Sequence, residues 1–193
     1  MQRPSRCRTF ERNNAMFLVD DRETLVAALR ARGVDYLTPS DARLNQMIDD
    51  EALLNNLARH PEARLRQALI ALFLLQPQLA PLVLRLRSDL QAEAARELLA
   101  YYTAAVYLQH MWRTRLQRYL ENVQELPDYF SAELGLPQPH EEHGKAGLHV
   151  LADWHARQSS YCFNHLSAYE GVAELLFQTL KLRRKQHEPA RQS

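Results

Sequence analysis

Apolar positions along this chain recur in steps of three and four, the spacing of helices, and almost nowhere in the alternation of strands. Between Arg22 and Arg32 the face is Leu25, Ala28 and Leu29. Asp20 and Glu23 stand as a capping box before it, and Gly33 stands at the left-handed position beyond it. Val34–Leu37 reads as a short extended piece stopped by Pro39. A helix is predicted from Ser40 through Ile48, and Asp49 or Asp50 caps the next, whose face is Leu53, Leu54 and Leu57. Pro61 falls where a further helix, Glu62–Gln76, would begin, and Pro77 and Pro81 interrupt the chain before Leu82–Leu86.

The longest regular pattern runs from Ser88 to Asn122. Leu90, Ala94, Leu98, Tyr101, Ala105, Leu108, Trp112, Leu116 and Tyr119 make one stripe, and Leu99, Tyr102 and Val106 widen it. A single helix of roughly 30 residues there spans about 45 Å and would form the backbone of the fold. After it, Asp128 is placed to cap a short turn that Gly135 ends, and a proline-rich linker covers 135–147. Helices resume at Leu148–Gln158 and near Asn164–Arg184, the second with Leu166, Tyr169, Val172, Ala173, Leu176 and Leu180 on one face. The expected fold is all-α, an irregular orthogonal bundle around one long central helix. Residues 1–15 are expected as a flexible Arg-rich tail and 16–187 as one helical domain. Within it, N-terminal helices occupy 16–87, the long helix 88–122 and a C-terminal pair 148–187, with 188–193 loose.

Composition agrees. In 193 residues, Leu and Ala fill 33 and 24 positions, whereas Val and Ile together fill 10 and Gly only 5. The length suffices for a sizeable core. Cys7 and Cys162 are too few for a disulfide scaffold, and 46% hydrophobic residues are too many for a disordered chain. The longest apolar run, Ala68–Leu75, is far short of the roughly 20 residues of a membrane span. No apolar stretch of signal-peptide length follows the N-terminal arginines, so a cytoplasmic protein without a membrane role is expected. A net charge of +1 gives no case for a polyanion binder by itself, and 21 Arg against 3 Lys reflects genome base composition more often than guanidinium contacts to acids or phosphates.

Three groups of residues suggest chemistry. His140, His143, His149 and His155 fall within a short stretch, and imidazoles are good zinc ligands; the spacing is His-x-x-His, without the helical metalloprotease motif. A metal-dependent hydrolase built on them ranks third among the functional readings. Arg3, Arg6 and Arg8 at one end, with Lys181, Arg183, Arg184 and Lys185 at the other, would make a nucleic-acid patch if folding joined them. Solvated helix ends explain the same charges. Tyr101, Tyr102 and Tyr107, with Arg113, Arg115 and Arg118, are residue types enriched at protein interfaces and form the candidate partner surface. Trp112 and Tyr119 fit the apolar stripe and read as core. No nucleophile elbow, phosphate-cradling glycine loop or paired-cysteine zinc motif is present, so no catalytic residue and no cofactor is assigned.

Over Tyr101–Leu116 (YYTAAVYLQHMWRTRL), Leu126–Pro137 (LPDYFSAELGLP) and Ser167–Arg184, the chain resembles an all-helical bacterial family. Members of that family sit beside nucleotidyltransferase-fold proteins as antitoxin-like or regulatory partners. The resemblance covers residues 22–185, brings no catalytic motif, and implies a binding role; the partner expected is a protein, the product of an adjacent gene. The expected function is therefore a non-enzymatic interaction or regulatory protein, with a nucleic-acid-binding regulator as the alternative.

Overall fold

The computed structural model describes residues 22–37, 48–158 and 163–187. The N-terminal arginines Arg3, Arg6 and Arg8, the Asp20 cap, the helix expected from Ser40, both cysteines and the C-terminal tail lie outside them. Among the described residues there are eight α-helices and no strand, which makes the fold all-α. They are α1 (Arg22–Ala31), α2 (Asp50–Arg59), α3 (Ala63–Leu75), α4 (Ala80–Asp89), α5 (Ala92–Met111), α6 (Arg113–Tyr119), α7 (Lys145–Gln158) and α8 (His165–His187).

Local chemistry sets several of these boundaries. Gly33 (φ 97°) closes α1 with paired bonds, its own N–H to Arg30 O at 3.0 Å and that of Val34 to Leu29 O at 3.0 Å. That is the Schellman arrangement, which needs the left-handed conformation glycine takes without steric cost. The same closure recurs where Gly135 (φ 65°) ends the turn begun at Asp128. There Leu136 N–H reaches Ser131 O at 2.8 Å, and Asp128 Oδ1 accepts from Ser131 N–H at 3.0 Å. Asp49 caps α2 through Ala52 N–H at 2.8 Å, and Asn164 caps α8 through Ser167 N–H at 3.0 Å. Pro61 lies outside its helix, which starts at Ala63 after Glu62.

The long helix expected over 88–122 is three elements. Leu90 and Gln91 are extended (ψ 148° and 152°) between α4 and α5, and Trp112 leaves the helical region (φ −110°, ψ 18°) between α5 and α6. Two bends leave the apolar stripe intact, because each interrupts only one or two residues of it. The second bend lets α6 lie on α8: the Trp112 and Phe177 rings meet at 5.9 Å, and the Tyr119 and Phe177 rings at 6.4 Å. At 20 residues α5 is still the central rod, touching α2, α3, α4, α6, α7 and α8. Every residue from Leu98 to Gln109 is buried, as befits a helix apolar on all sides. Its neighbour α3 is equally enclosed from Ala68 to Leu74.

The start of α7 lies close against α5. A Cβ on Gly147 would overlap the Tyr107 ring, and one on Gly144 (φ 85°) would stand 2.6 Å from Tyr107 O. These two glycines let the start of α7 settle directly on α5, and the helix begins at Lys145, ahead of the Leu148 expected from the apolar pattern. No single helix among the described residues is long and apolar enough to cross a membrane. The pair α3 and Pro77–Asp89 passes by length and composition but is bent by 109°.

Candidate functional site

The residues with the strongest chemistry meet inside the bundle. Glu97 and Tyr101 stand one turn apart on α5, and His165 and Tyr169 one turn apart on α8, so each pair shares a helix face. Arg66 enters from α3 and His155 from α7. His155 Nε2 lies 2.9 Å from Glu97 Oε1, and its Nδ1 lies 2.6 Å from the Tyr169 hydroxyl. The other Glu97 oxygen accepts from Arg66 Nε at 2.8 Å, while Arg66 Nη1 donates to His60 O at 2.6 Å and Pro61 O at 2.9 Å. Guanidinium, carboxylate, imidazole and phenol thus form one string tying α3, α5, α7 and α8. The rings of Tyr101 and His155 meet edge to face at 5.6 Å.

Burial and charge act in opposite directions here. Burial pushes the Glu97 carboxyl up, but its hydrogen bond to His155 and the charges of His155 and Arg66 more than offset this and hold it at about 2. Burial raises Tyr101, with the Glu97 charge adding to it, and raises Tyr169 well above the ordinary phenol value. His165 stacks on His155 with ring centroids 3.8 Å apart, is 7% exposed, and has no hydrogen-bond partner at either ring nitrogen among the described residues. Burial, then the charge of His155, lowers it to about 4.

The string is closed on itself. Both His155 nitrogens and both Glu97 oxygens are taken, and the Glu97–Arg66 end lines a surface cleft of about 180 Å³ together with Arg59, His60, Gln91 and Glu93. Among the described residues no group of three or more His, Cys, Asp or Glu could hold a metal ion. His155 has no ring nitrogen left for an ion, since one is engaged with Tyr169 and the other with Glu97.

Of the four histidines singled out in the sequence, His155 alone enters this cluster. His140, His143 and His149 are exposed, His143 on a backbone turn of positive φ (56°) shared with Glu142. The metal arrangement is not assembled. The tyrosine surface is also corrected: Tyr101, Tyr102 and Tyr107 are buried and cannot meet a partner. Tyr102 donates to Pro127 O at 2.6 Å and stacks on Tyr129, while Tyr107 donates to Pro137 O at 2.6 Å. Both therefore fasten the irregular 120–140 segment to α5. Arg115 lies over the Phe177 ring at 4.0 Å and makes a two-pronged pair with Glu174 at 2.8 and 3.1 Å, whereas Arg113 and Arg118 face solvent.

At the basic end of α8, Arg183 is half-buried and committed to the segment that follows α1. Its Nε donates to Asp35 at 2.8 Å and its Nη2 to Gly33 O at 3.1 Å, which clasps α8 to the end of α1. Arg184 reaches Arg118 O at 3.3 Å; Lys181 and Lys185 remain exposed. Sequence reasoning missed Glu97, Arg66 and His165 as a unit. The usable signal was an acid and a tyrosine, and a histidine and a tyrosine, four residues apart along apolar stripes. Compared with known proteins, the chain matches no family model, no curated protein and no solved structure.

Proposed function

We propose that the chain is a non-enzymatic interaction or regulatory protein of the cytoplasm, which recognises a protein partner through the outer surface of α7 and α8. In this reading it acts as the antitoxin-like partner of a nucleotidyltransferase-type protein, as its sequence resemblance implies. The observation that carries it is where large apolar side chains remain exposed. Of five among the described residues, Val150, Phe163, Leu175 and Leu182 lie on or beside α7 and α8, and only Leu84 lies elsewhere. Apolar exposure concentrated on two helices that pack together favours an interaction surface there. The Glu97–His155–Tyr169 string supports the same reading, because its donors and acceptors satisfy one another.

The test is co-expression of the tagged chain with the product of the adjacent gene, with affinity measured by calorimetry at low and high salt. A complex that survives high salt, and weakens about tenfold in Val150→Glu or Leu175→Glu, supports the proposal. Absence of a complex, or one indifferent to both substitutions, overturns it. An affinity for oligonucleotides that falls steeply with salt would favour the nucleic-acid alternative.

A further inference from the structure

We infer that the outer face of α8 pairs with the same face of a second copy of this chain, the two helices running antiparallel about a two-fold axis near Gln178. The inference rests on the interaction role proposed for α7 and α8, and it names one occupant of that surface.

The face is defined by spacing and by exposure. Gly171, Leu175, Gln178 and Leu182 follow one another in steps of four, three and four, the seam spacing of paired helices, and all four are exposed. Leu175 is 42% and Leu182 60% exposed, and a Cβ built on Gly171 would meet nothing within 4 Å. The opposite face of α8 is the one spent on the bundle, through Tyr169, Val172, Ala173, Leu176, Phe177 and Leu180.

Charge selects the occupant and its direction. One flank of the seam carries Glu170 and Glu174 towards the start of the helix and Lys181 and Lys185 towards its end, all exposed. In an antiparallel pair each flank meets the same flank of its mate, so the acidic half of one copy faces the basic half of the other. Leu175 then lies opposite Leu182 of the second copy, and Leu182 opposite its Leu175. In a parallel pair this flank would meet the opposite flank of its mate, so its acids and lysines would not face one another. A surface complementary to itself under two-fold rotation is what a symmetric dimer requires. Glu174 is shared with Arg115, so Glu170 is the acid wholly available to the second copy. Two leucines and a few ion pairs make a small interface, so the dimer is expected to be weak and reversible.

The test uses the full chain. Mass by light scattering or sedimentation, followed into the hundreds of micromolar, is expected to rise from monomer towards dimer. Leu182→Glu should raise the dissociation constant about tenfold or more, with an unchanged circular dichroism spectrum. Glu170→Lys and Lys185→Glu should each weaken association a few-fold, and the double reversal should restore it. In a chain with Cys7→Ser and Cys162→Ser, Gln178→Cys should form a disulfide-linked dimer under mild oxidation. Glu170→Cys should not, since its two copies lie about 25 Å apart along the pair. Monomeric mass at every concentration, or crosslinking through Glu170→Cys and not Gln178→Cys, overturns the inference. Calorimetry with the adjacent gene's product separates the two proposals. A monomeric chain that still binds that product removes the dimer alone, and a dimer that binds no such product removes the partner alone.

Discussion

One face of α8 brings a phenol and an imidazole into the interior, where they meet a carboxylate and a guanidinium; the far face of the same helix holds two leucines out in water. The interior face spends polar groups where apolar ones are ordinary, and does so safely only where each finds a partner. Glu97, His155, Arg66 and Tyr169 do, and His165 does not. The outer face costs little by itself, because a solvated leucine strains nothing, and its value lies in what can cover it. The contrast teaches that stability is concentrated in the string and association in the seam, so substitutions in the two should separate cleanly.

The largest effect is expected from Glu97→Ala. It strips His155 and Arg66 of their shared acceptor in a mostly buried setting, and chemical denaturation should show a loss of about 3 kcal/mol. Next comes Gly147→Ala, whose methyl overlaps the Tyr107 ring and should cost about 2 kcal/mol by the same measurement.

Acidification should act in two windows. The folded value of His165 is about 4, below the ordinary 6.5, so the unfolded chain takes up its proton first and stability falls as pH drops from 6.5 towards 4. Glu97 at about 2 instead of 4.5 contributes stability that is present above 4.5 and lost as pH falls towards 2. Thermal melts across pH should show both, and His165→Phe should abolish only the upper one. A melt that is flat between pH 6.5 and 4 in the native chain would sink the buried neutral imidazole. Arg115→Ala removes an exposed pair and a contact over Phe177, and should cost about 1 kcal/mol. Smallest of all, Leu182→Glu should change the unfolding free energy by no more than about 0.5 kcal/mol while changing self-association strongly. If it destabilised the monomer as much as Glu97→Ala, the division between the two faces of α8 would be wrong.

What could be read from the sequence was what neighbours in sequence decide. Gly33 and Asp49 mark helix ends, and Gly135 the end of a turn, through bonds spanning three to five residues, and each does so in the structure. The breaks at Leu90–Gln91 and Trp112 were invisible because the apolar spacing runs through them unchanged. The tyrosines misled because an aromatic on a second helix face reads the same whether a neighbour or a partner covers it; here Pro127 and Pro137 supply the acceptors their hydroxyls need. The string was out of reach for another reason: Glu97 lies 31 residues from Arg66 and 58 from His155, and no local rule joins them.

The clasp from Arg183 to Asp35 joins positions 148 residues apart. A chain emerging from the ribosome therefore cannot fasten it until α8 has cleared the exit tunnel, long after α1 is made. During synthesis the carbonyl of Gly33 and the carboxylate of Asp35 must wait in water, while α1 already has α2 and α3 to pack against. Translation speed through the second half of the message thus sets how long they stand without their clasp.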